Sequence, residues 1–508
     1  MKQSESLFYL IKSLSKQEKR YFTLFSNRHV IKGGNDYLKL FKVMSKQKVY
    51  NENGIKKKFK GSPISKRFPV LKNYLHELVL NSLHYYHTDK TKEAEINKSL
   101  HLVEILIEKS LFYQAEKVLK KTKDIVYKYE KYHKIPDLIE WQKKLIGATA
   151  FRGYSAKHIK AIEKELIASL KELNNIHNYW KQSANVFLLL NKKGEIRSKE
   201  EFKNISRVAE GTAVPSISAS SSYYAKAYYY HAKEMEYYAK GDFQNAYKYC
   251  KASIKLMESH PWQIQEYKRN YLAISLNLLV ICNALQYYDE LISLLKKIRH
   301  FLTIYPLSDV HVSLYNTELD MYFNLGKFKE GIALIEQIKM LLNKKKLIAK
   351  KDEMIILYYN MSYFYFAVED YTQALYWLNK LLNDNESMKK EDVYSSAKIV
   401  ELIIHYEKDN EDLIGYRGKS TERFLKNKNR LYKLEKLMLN FFTSKISKCI
   451  TPAMKIAAFT KLKNDLEILH KDPFEKAALD YFDFIRWVES KIQNRKFTEV
   501  MKGKSVDA

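Results

Sequence analysis

The chain has 508 residues and a formal net charge of +30, and it contains only 14 Gly and 8 Pro. So few helix-breaking residues exclude a β-sandwich, a barrel or a doubly wound sheet of this length, because those folds need many turns. They are sufficient for long helices joined by short turns. With 46% hydrophobic residues available for a core, the composition predicts an all-α protein.

The positive charge has two explanations that the sequence leaves open. Lysine is far more frequent than arginine, with 75 Lys against 13 Arg, which is typical of a compositional bias that loads lysine onto solvated helix faces. Selection for phosphate binding more often uses arginine, whose planar fork binds phosphate through two hydrogen bonds. The charge is nevertheless concentrated: residues 1–90 contain 19 basic and six acidic residues, a net charge of +13.

The chain begins with a basic helical region, in which helices are predicted at residues 4–14, 15–26, 36–46, 51–59 and 68–87. The short helices and tight turns loosely suggest a module like a helix-turn-helix. Between the last two helices lies a run of basic side chains that are candidates for contacting nucleic-acid phosphate. These candidates are Lys56, Lys57, Lys58, Lys60, Lys66 and Arg67.

No pattern in the sequence indicates catalysis. Residues 415–420 end like a phosphate-binding loop, but only two residues separate the glycines where four are required. His84 and His87 lie one helical turn apart, yet no third metal ligand is assigned, so they are interpreted as surface histidines. The three cysteines are too far apart in sequence for a CxxC pair. We therefore expect no enzymatic activity, no cofactor and no metal.

A repeated motif follows the basic region. An aromatic residue is followed three residues later by a mostly small residue and four residues later again by an apolar one, as in Phe243, Ala246 and Cys250. This spacing places all three on one face of a helix. The middle residues of the five copies are Ala115, Ala246, Leu291, Gly331 and Ala374. They are 131, 45, 40 and 43 residues apart, which indicates a period near 43. Two further helix pairs are predicted near Ala161 and Asn204, and another at residues 392–416.

The motif resembles the tetratricopeptide repeat (TPR) family. The residues that match the pattern of that family in register are Tyr358, Met361, Ser362, Tyr365, Asp370, Tyr371 and Ala374. Ser362 and Glu234 depart from it, because the family usually has Gly or Ala at these positions. Both ends of the chain are also similar to uncharacterised bacterial TPR-like proteins. The resemblance implies an α-solenoid of about seven to eight helix pairs with helical caps.

The C-terminal region is predicted to contain three further helices. The first spans residues 429–448, the second begins at Thr451-Pro452, and the third runs from Asp472-Pro473 to Ile492. Thr or Asp followed by Pro is a typical helix start. The expected organisation is therefore a basic N-terminal region (1–90), a helical-repeat solenoid (91–419) and a C-terminal helical cap (420–508).

In TPR proteins the first helix of each pair lines a concave groove. Transferred to this chain, the groove residues are Tyr228, His231, Met235, Tyr238, Asn316, Asp320, Phe323, Asn324, Tyr359, Tyr363 and Phe366. Aromatic and amide side chains suit an extended peptide. The predicted function is thus a protein-interaction scaffold or adaptor that binds a protein or peptide.

A different class of function remains as an alternative: a nucleic-acid-associated regulator that uses residues 1–90 to contact phosphate and the repeats as a sensor. The longest apolar stretch, residues 354–368, is too short to span a bilayer. We therefore expect no membrane insertion and a cytoplasmic location.

Overall fold

The computed structural model describes residues 5–28, 36–62, 67–193, 222–305, 310–343, 350–384 and 391–502, with isolated positions between them. Every regular element in these ranges is a helix, which confirms the all-α prediction. The chain divides into two compact units, Met1–Leu173 and Asn174–Ala508, and the division falls inside one long helix. The expected boundaries at residues 90 and 419 remain predictions.

Nine of the described α-helices begin in the first unit, and the first five closely match the ranges expected near the N-terminus. They are α1 (Ser6–Ser13), α2 (Lys16–Arg28), α3 (Asp36–Lys46), α4 (Glu52–Lys58), α5 (Phe68–His87), α6 (Lys92–Glu108), α7 (Phe112–Lys128), α8 (Ile135–Ala148) and α9 (Ala156–Lys193). Two separate apolar clusters stabilise this unit. One joins α1–α5 around Phe22 and Leu75, and the other joins α6–α9 around Ile96 and Ala115.

The long helix α9 differs from what the repeat period suggested. Ala115, Ala246 and Ala374 are fully buried where helices cross. Ala161, which was expected to occupy an equivalent position, is exposed, and its neighbour Ile162 is buried instead. The prediction for Ala161 is therefore wrong. The second predicted position, Asn204, lies outside the described residues.

The second unit contains the remaining helices. They are α10 (Tyr223–Ala239), α11 (Phe243–Glu258), α12 (Pro261–Glu266), α13 (Lys268–Ala284), α14 (Tyr288–Ile304), α15 (His311–Asn324), α16 (Phe328–Asn343), α17 (Lys351–Ala367), α18 (Tyr371–Leu382), α19 (Glu391–Glu407), α20 (Glu411–Asn427), α21 (Lys433–Asn440), α22 (Pro452–His470), α23 (Pro473–Leu479), α24 (Phe484–Gln493) and α25 (Phe497–Lys502). Five consecutive pairs have α10, α13, α15, α17 and α19 as their first helices, and each packs against the second helix that follows it.

Each of the five first helices ends in the same turn. The N–H of one residue donates to the C=O five residues earlier, as from Asp242 to Tyr237 (2.9 Å) and from Asp370 to Tyr365 (2.9 Å). This is a Schellman motif, which requires a residue with positive φ just before the donor. Those residues are Gly241, Gln286, Gly326, Glu369 and Asp409. They lie 40 to 45 residues apart, so the backbone repeats with the expected period even where glycine is absent.

Small residues lie where helices pack closely, as the repeated motif predicted, either within a pair or, at Gly331, against the first helix of the next pair. Ala246 and Ala374 are fully buried. A Cβ atom added to Gly331 would lie 2.0 Å from Cε1 of Phe364, a steric overlap that side chains do not tolerate. Ser362, a departure from the TPR pattern, is buried without penalty because its hydroxyl donates to the C=O of Ala374 (2.8 Å).

The C-terminal helices begin as predicted but are interrupted. Thr451 caps α22 by accepting the N–H of Met454 (3.2 Å). The helix predicted at 429–448 is regular only in α21, and a π-helical and a 3₁₀ turn follow it. The single helix predicted from Asp472 to Ile492 is also wrong. It breaks at residues 480–483 because Asp483 starts a new helix by accepting the N–H of Arg486 (3.0 Å).

Candidate partner-binding face of the first helices

The Schellman turns provide a common register for the five first helices. In each turn, the anchor residue is the one whose C=O accepts the hydrogen bond from the N–H five residues later. The anchors are Tyr237, Cys282, Tyr322, Tyr365 and His405. Positions six and two before the anchor and one after it lie on one side of each helix. We call this side the first-helix face. Its members are His231, Met235, Tyr238, Leu276, Val280, Asn283, Asn316, Asp320, Phe323, Tyr359, Tyr363, Phe366, Ile399, Ile403 and Tyr406.

On α10, part of the first-helix face is covered by the C-terminal half of α9. Nδ1 of His231 lies 2.8 Å from the hydroxyl of Ser183, and Met235 packs against Val186. Burial lowers the pKa of His231, which favours its neutral form. Tyr238 is different, because 43% of its surface is exposed. Of these predicted groove residues, only Tyr238 is classed as exposed.

Tyr228, one helical turn before His231, is half-buried. Burial raises the pKa of its hydroxyl, and the nearby Tyr267 acts in the same direction. Tyr228 is not one of the face positions that the Schellman register defines, so it lies at the margin of the face.

On α13, the sequence motif gave no groove candidates, yet the register places Leu276, Val280 and Asn283 on the same face. Val280 is 43% exposed. Oδ1 of Asn283 accepts a hydrogen bond from Nδ2 of the exposed Asn324 on α15 (3.3 Å). These residues connect the face of α10 with that of α15. Leu276, Val280 and Asn283 were identified from the Schellman hydrogen bond at the end of α13, which joins an N–H to the C=O five residues earlier.

On α15, polar side chains lie among buried aromatic ones. Asn316 is 7% exposed and donates to the C=O of Glu353 on α17 (3.1 Å). Asp320 is half-buried, and burial raises its pKa to about 7, whereas a hydrogen bond from Asn360 acts in the opposite direction. Phe323 is buried, and the centroid of its ring lies 4.1 Å from the ring centroid of Tyr363. Asp320 is thus the acidic group of this face.

On α17, the predicted groove residues are covered by the protein's own C-terminal segment, residues 480–483. The hydroxyl of Tyr359 donates to the C=O of Tyr481 (3.0 Å), and its oxygen lies 2.9 Å from the hydroxyl of Ser396. The hydroxyl oxygen of Tyr363 accepts the N–H of Asp483 (2.8 Å). Two tyrosines therefore bind the main chain of a non-helical segment.

Aromatic packing completes this contact. Phe482 is fully buried. Its ring centroid lies 5.0 Å from that of Tyr363 and 5.1 Å from that of Phe366. Phe497 of α25 lies 5.6 Å from Phe366. The expectation that Tyr359, Tyr363 and Phe366 line an open groove is not met in this structure, because the C-terminal segment occupies that surface.

A buried carboxyl group lies beside the first-helix face. Glu234 is 2% exposed. Its Oε1 accepts a hydrogen bond from Nδ2 of Asn277 (2.7 Å), and its Oε2 has no hydrogen-bond partner among the described residues. Burial raises the pKa of Glu234 to about 7, and the bond from Asn277 acts in the opposite direction. Glu234 departs from the TPR pattern, and it connects α10 to α13 through a single hydrogen bond.

The basic residues predicted to contact nucleic acid are partly neutralised. Lys56 lies 2.8 Å from Glu52, and this bond is the main reason that the pKa of Glu52 falls to about 2. Lys57, Lys58, Lys60 and Arg67 are exposed. Lys66 lies outside the described residues.

The two sequence patterns that resemble a phosphate-binding loop and a metal site both lie in helices. Residues 415–420 lie within α20, so no phosphate-binding loop forms there. Nε2 of His87 lies 2.7 Å from Oε1 of Glu18, and His84 is exposed. Within the described ranges, no group of three His, Cys, Asp or Glu side chains is placed to hold a metal ion.

Comparison with protein-family models, with curated proteins and with solved structures gave no match for this chain. The resemblance to TPR proteins therefore stays a prediction from the sequence. Among the helices of the described residues, none is long and apolar enough to cross a membrane.

Proposed function

We propose that the protein is a non-enzymatic interaction scaffold that binds an extended segment of a protein or peptide partner on the first-helix face. One observation carries the proposal: the hydroxyls of Tyr359 and Tyr363 hold the main chain of Tyr481 and Asp483. Bonds to the main chain do not depend on the side chains of the bound segment. The face is thus chemically suited to extended backbone.

A partner would bind where the face is not covered by the chain itself. We call this area the open window and define it by Tyr238, Val280 and Asn283 of the face together with Asn324, which follows Phe323 of the face. It combines an aromatic ring, an apolar side chain and two amides that can accept from or donate to a peptide group. Because these side chains lie on packed helices, their backbone is already ordered before a partner binds.

The experiment uses the full-length chain carrying the photo-crosslinking residue p-benzoylphenylalanine in place of Val280. A second protein carries it in place of Tyr113, which is 79% exposed on α7 and serves as the control. Cross-linked partners from the native lysate are digested and sequenced, and the attached peptide is synthesised. Fluorescence anisotropy then measures its affinity for the unmodified protein and for the double variant Asn283→Ala/Asn324→Ala.

We expect a peptide that cross-links at position 280 and not at position 113. Its affinity should fall about fivefold or more in the double variant, the effect of losing about 1 kcal/mol of hydrogen bonding. A peptide that binds the double variant as tightly as the original protein would refute the open window as the site. Equal cross-linking at both positions would do the same.

A further inference from the structure

The first unit carries a cluster of aromatic rings at the edge of its apolar core, against which Phe25 packs. The rings of Tyr21 and Phe25 on α2 lie beside those of Tyr86 and Tyr85 on α5. The centroid distances are 5.1 Å for Tyr21–Tyr86 and 5.6 Å for Phe25–Tyr85. Tyr85 is 61% exposed and the neighbouring Leu24 is 58% exposed. Tyr21, Phe25 and Tyr86 are partly buried, whereas Tyr85 offers most of its ring to solvent.

Helix periodicity produces this arrangement. Gln17, Tyr21 and Phe25 are four residues apart and lie along one side of α2. Phe22, one residue after Tyr21, is buried in the apolar core. The hydroxyl of Tyr86 donates to Oε1 of Gln17 (3.0 Å), which fixes the last turn of α5 against α2. Polar contacts thus orient the rings.

The same surface is positively charged. Nζ of Lys90 lies 3.4 Å from the centroid of the Tyr86 ring, and Arg20 on α2 is exposed. Nearby carboxylates are engaged locally: Glu18 lies 2.7 Å from His87, and Asp89 lies 2.9 Å from Lys98. The net charge of residues 1–90 as a whole is +13. We call Arg20, Tyr21, Phe25, Tyr85, Tyr86 and Lys90 the aromatic–basic surface.

We propose that the aromatic–basic surface binds single-stranded nucleic acid, with bases stacked on Tyr85 and its neighbours and phosphates beside Arg20 and Lys90. Exposed rings interleaved with cations are how proteins bind single strands without reading sequence, because every base has a face to stack. A duplex conceals those faces. The proposal is independent of the scaffold function, and it uses a different surface from the Lys56–Arg67 run.

The test uses the full-length protein and fluorescein-labelled oligo(dT) of 20 nucleotides, titrated by fluorescence anisotropy at low salt. Tyr85→Ala removes the most exposed ring of the surface. Tyr113→Ala, which removes a ring that is 79% exposed on α7, is the matched control. Circular dichroism verifies that both variants retain the helical content of the original protein.

We expect Tyr85→Ala to weaken binding about fivefold to 150-fold, the range found when one base–aromatic stack is lost. Tyr113→Ala should change it less than about twofold, and Tyr85→Phe, which keeps the ring, should bind like the original protein. Raising salt from about 50 to 200 mM should also weaken binding, because phosphate contacts release counterions.

Three results would overturn the proposal. The first is no binding of oligo(dT) at about 50 mM salt. The second is an equal loss of affinity in Tyr85→Ala and Tyr113→Ala, which would mean that charge alone holds the strand. The third is tighter binding of a 20-base-pair duplex than of the single strand, which would favour the Lys56–Arg67 run as the contact.

Discussion

The first-helix face is covered on α17 and open on α13, although both helices follow one register. On α17, aromatic residues at the register positions contact the C-terminal segment and have become part of the core. On α13 and, next to the face, at the end of α15, the side chains are Val280, Asn283 and Asn324, of which Val280 and Asn324 are exposed. The comparison teaches that register alone does not assign a role. What packs on top of a position decides whether it serves stability or recognition.

The largest expected effect tests whether the covered part is core. Phe482→Ala removes a fully buried ring that contacts Tyr363 and Phe366. We expect the free energy of unfolding to fall by about 3–5 kcal/mol, the usual cost of deleting a buried Phe side chain. Chemical denaturation followed by tryptophan fluorescence measures it. Tyr416→Ala, where the ring is 71% exposed, should change it little. Equal effects would mean that the segment is not part of the core.

The second prediction concerns pH and the buried Glu234. Its pKa is about 7 in the folded protein, above the ordinary value of 4.5, so the folded state holds the proton more tightly than the unfolded state. Its contribution to stability is therefore largest below pH 4.5 and is lost as pH rises through 7. The loss amounts to about 3 kcal/mol.

Glu234→Gln removes this titration. The difference in unfolding free energy between the variant and the original protein should shift by about 3 kcal/mol in favour of the variant from pH 5 to pH 8. Denaturation at both pH values measures it, and the contribution of Asp320 cancels because both proteins contain it. The exposed Glu330→Gln is the control. A difference that does not change with pH would contradict the prediction.

The third prediction compares the loss of stability when a single tyrosine hydroxyl is removed from the covered part and from the open part of the face. Tyr359→Phe removes the donor to the C=O of Tyr481, and Tyr363→Phe removes the acceptor for the N–H of Asp483. Each should destabilise the protein by about 1–2 kcal/mol, because a buried partner loses its hydrogen bond. Tyr238→Phe should cost less than about 0.5 kcal/mol. Thermal denaturation of the three variants distinguishes them; similar melting temperatures would remove the distinction between the parts.

The smallest effect on stability is expected in the open window. Asn283→Ala/Asn324→Ala removes one exposed hydrogen bond of 3.3 Å, so the free energy of unfolding should change by no more than about 0.5 kcal/mol. The same denaturation experiment measures it. A loss greater than about 2 kcal/mol would show that these amides are structural, and binding data from the double variant would then no longer report on recognition.

The sequence predicted those features of the fold that depend on local pattern. The helix starts at Asp36, Phe68 and Thr451-Pro452 follow from capping and periodicity, and the small residues at Ala246, Gly331 and Ala374 follow from the repeated motif. The break at residues 480–483 could not be found in this way. It depends on Phe482 packing on α17, more than 110 residues earlier in the chain, and only the cap at Asp483 gave a local signal.

The candidate site was predictable to a smaller extent. The TPR resemblance assigned Tyr238, Asn316 and Tyr359 to the groove side of three first helices, and the Schellman register places them on the first-helix face. The resemblance gave no information about which of them another segment covers, because coverage is a long-range property of the chain. Val280 was missed because its repeat has Leu291 instead of a small residue and Gln286 instead of glycine.

The hydrogen bonds from Tyr359 and Tyr363 to the C-terminal segment span 122 and 120 residues of sequence. During translation, the tyrosines therefore leave the ribosome long before the residues that cover them. At synthesis rates of about 5–20 residues per second, the delay is about 6–24 s. Throughout this interval the nascent chain exposes an aromatic surface with no native cover. Folding of the last helix pairs consequently cannot be completed before residues 481–483 have been synthesised, and a chain terminated before them would carry that surface permanently.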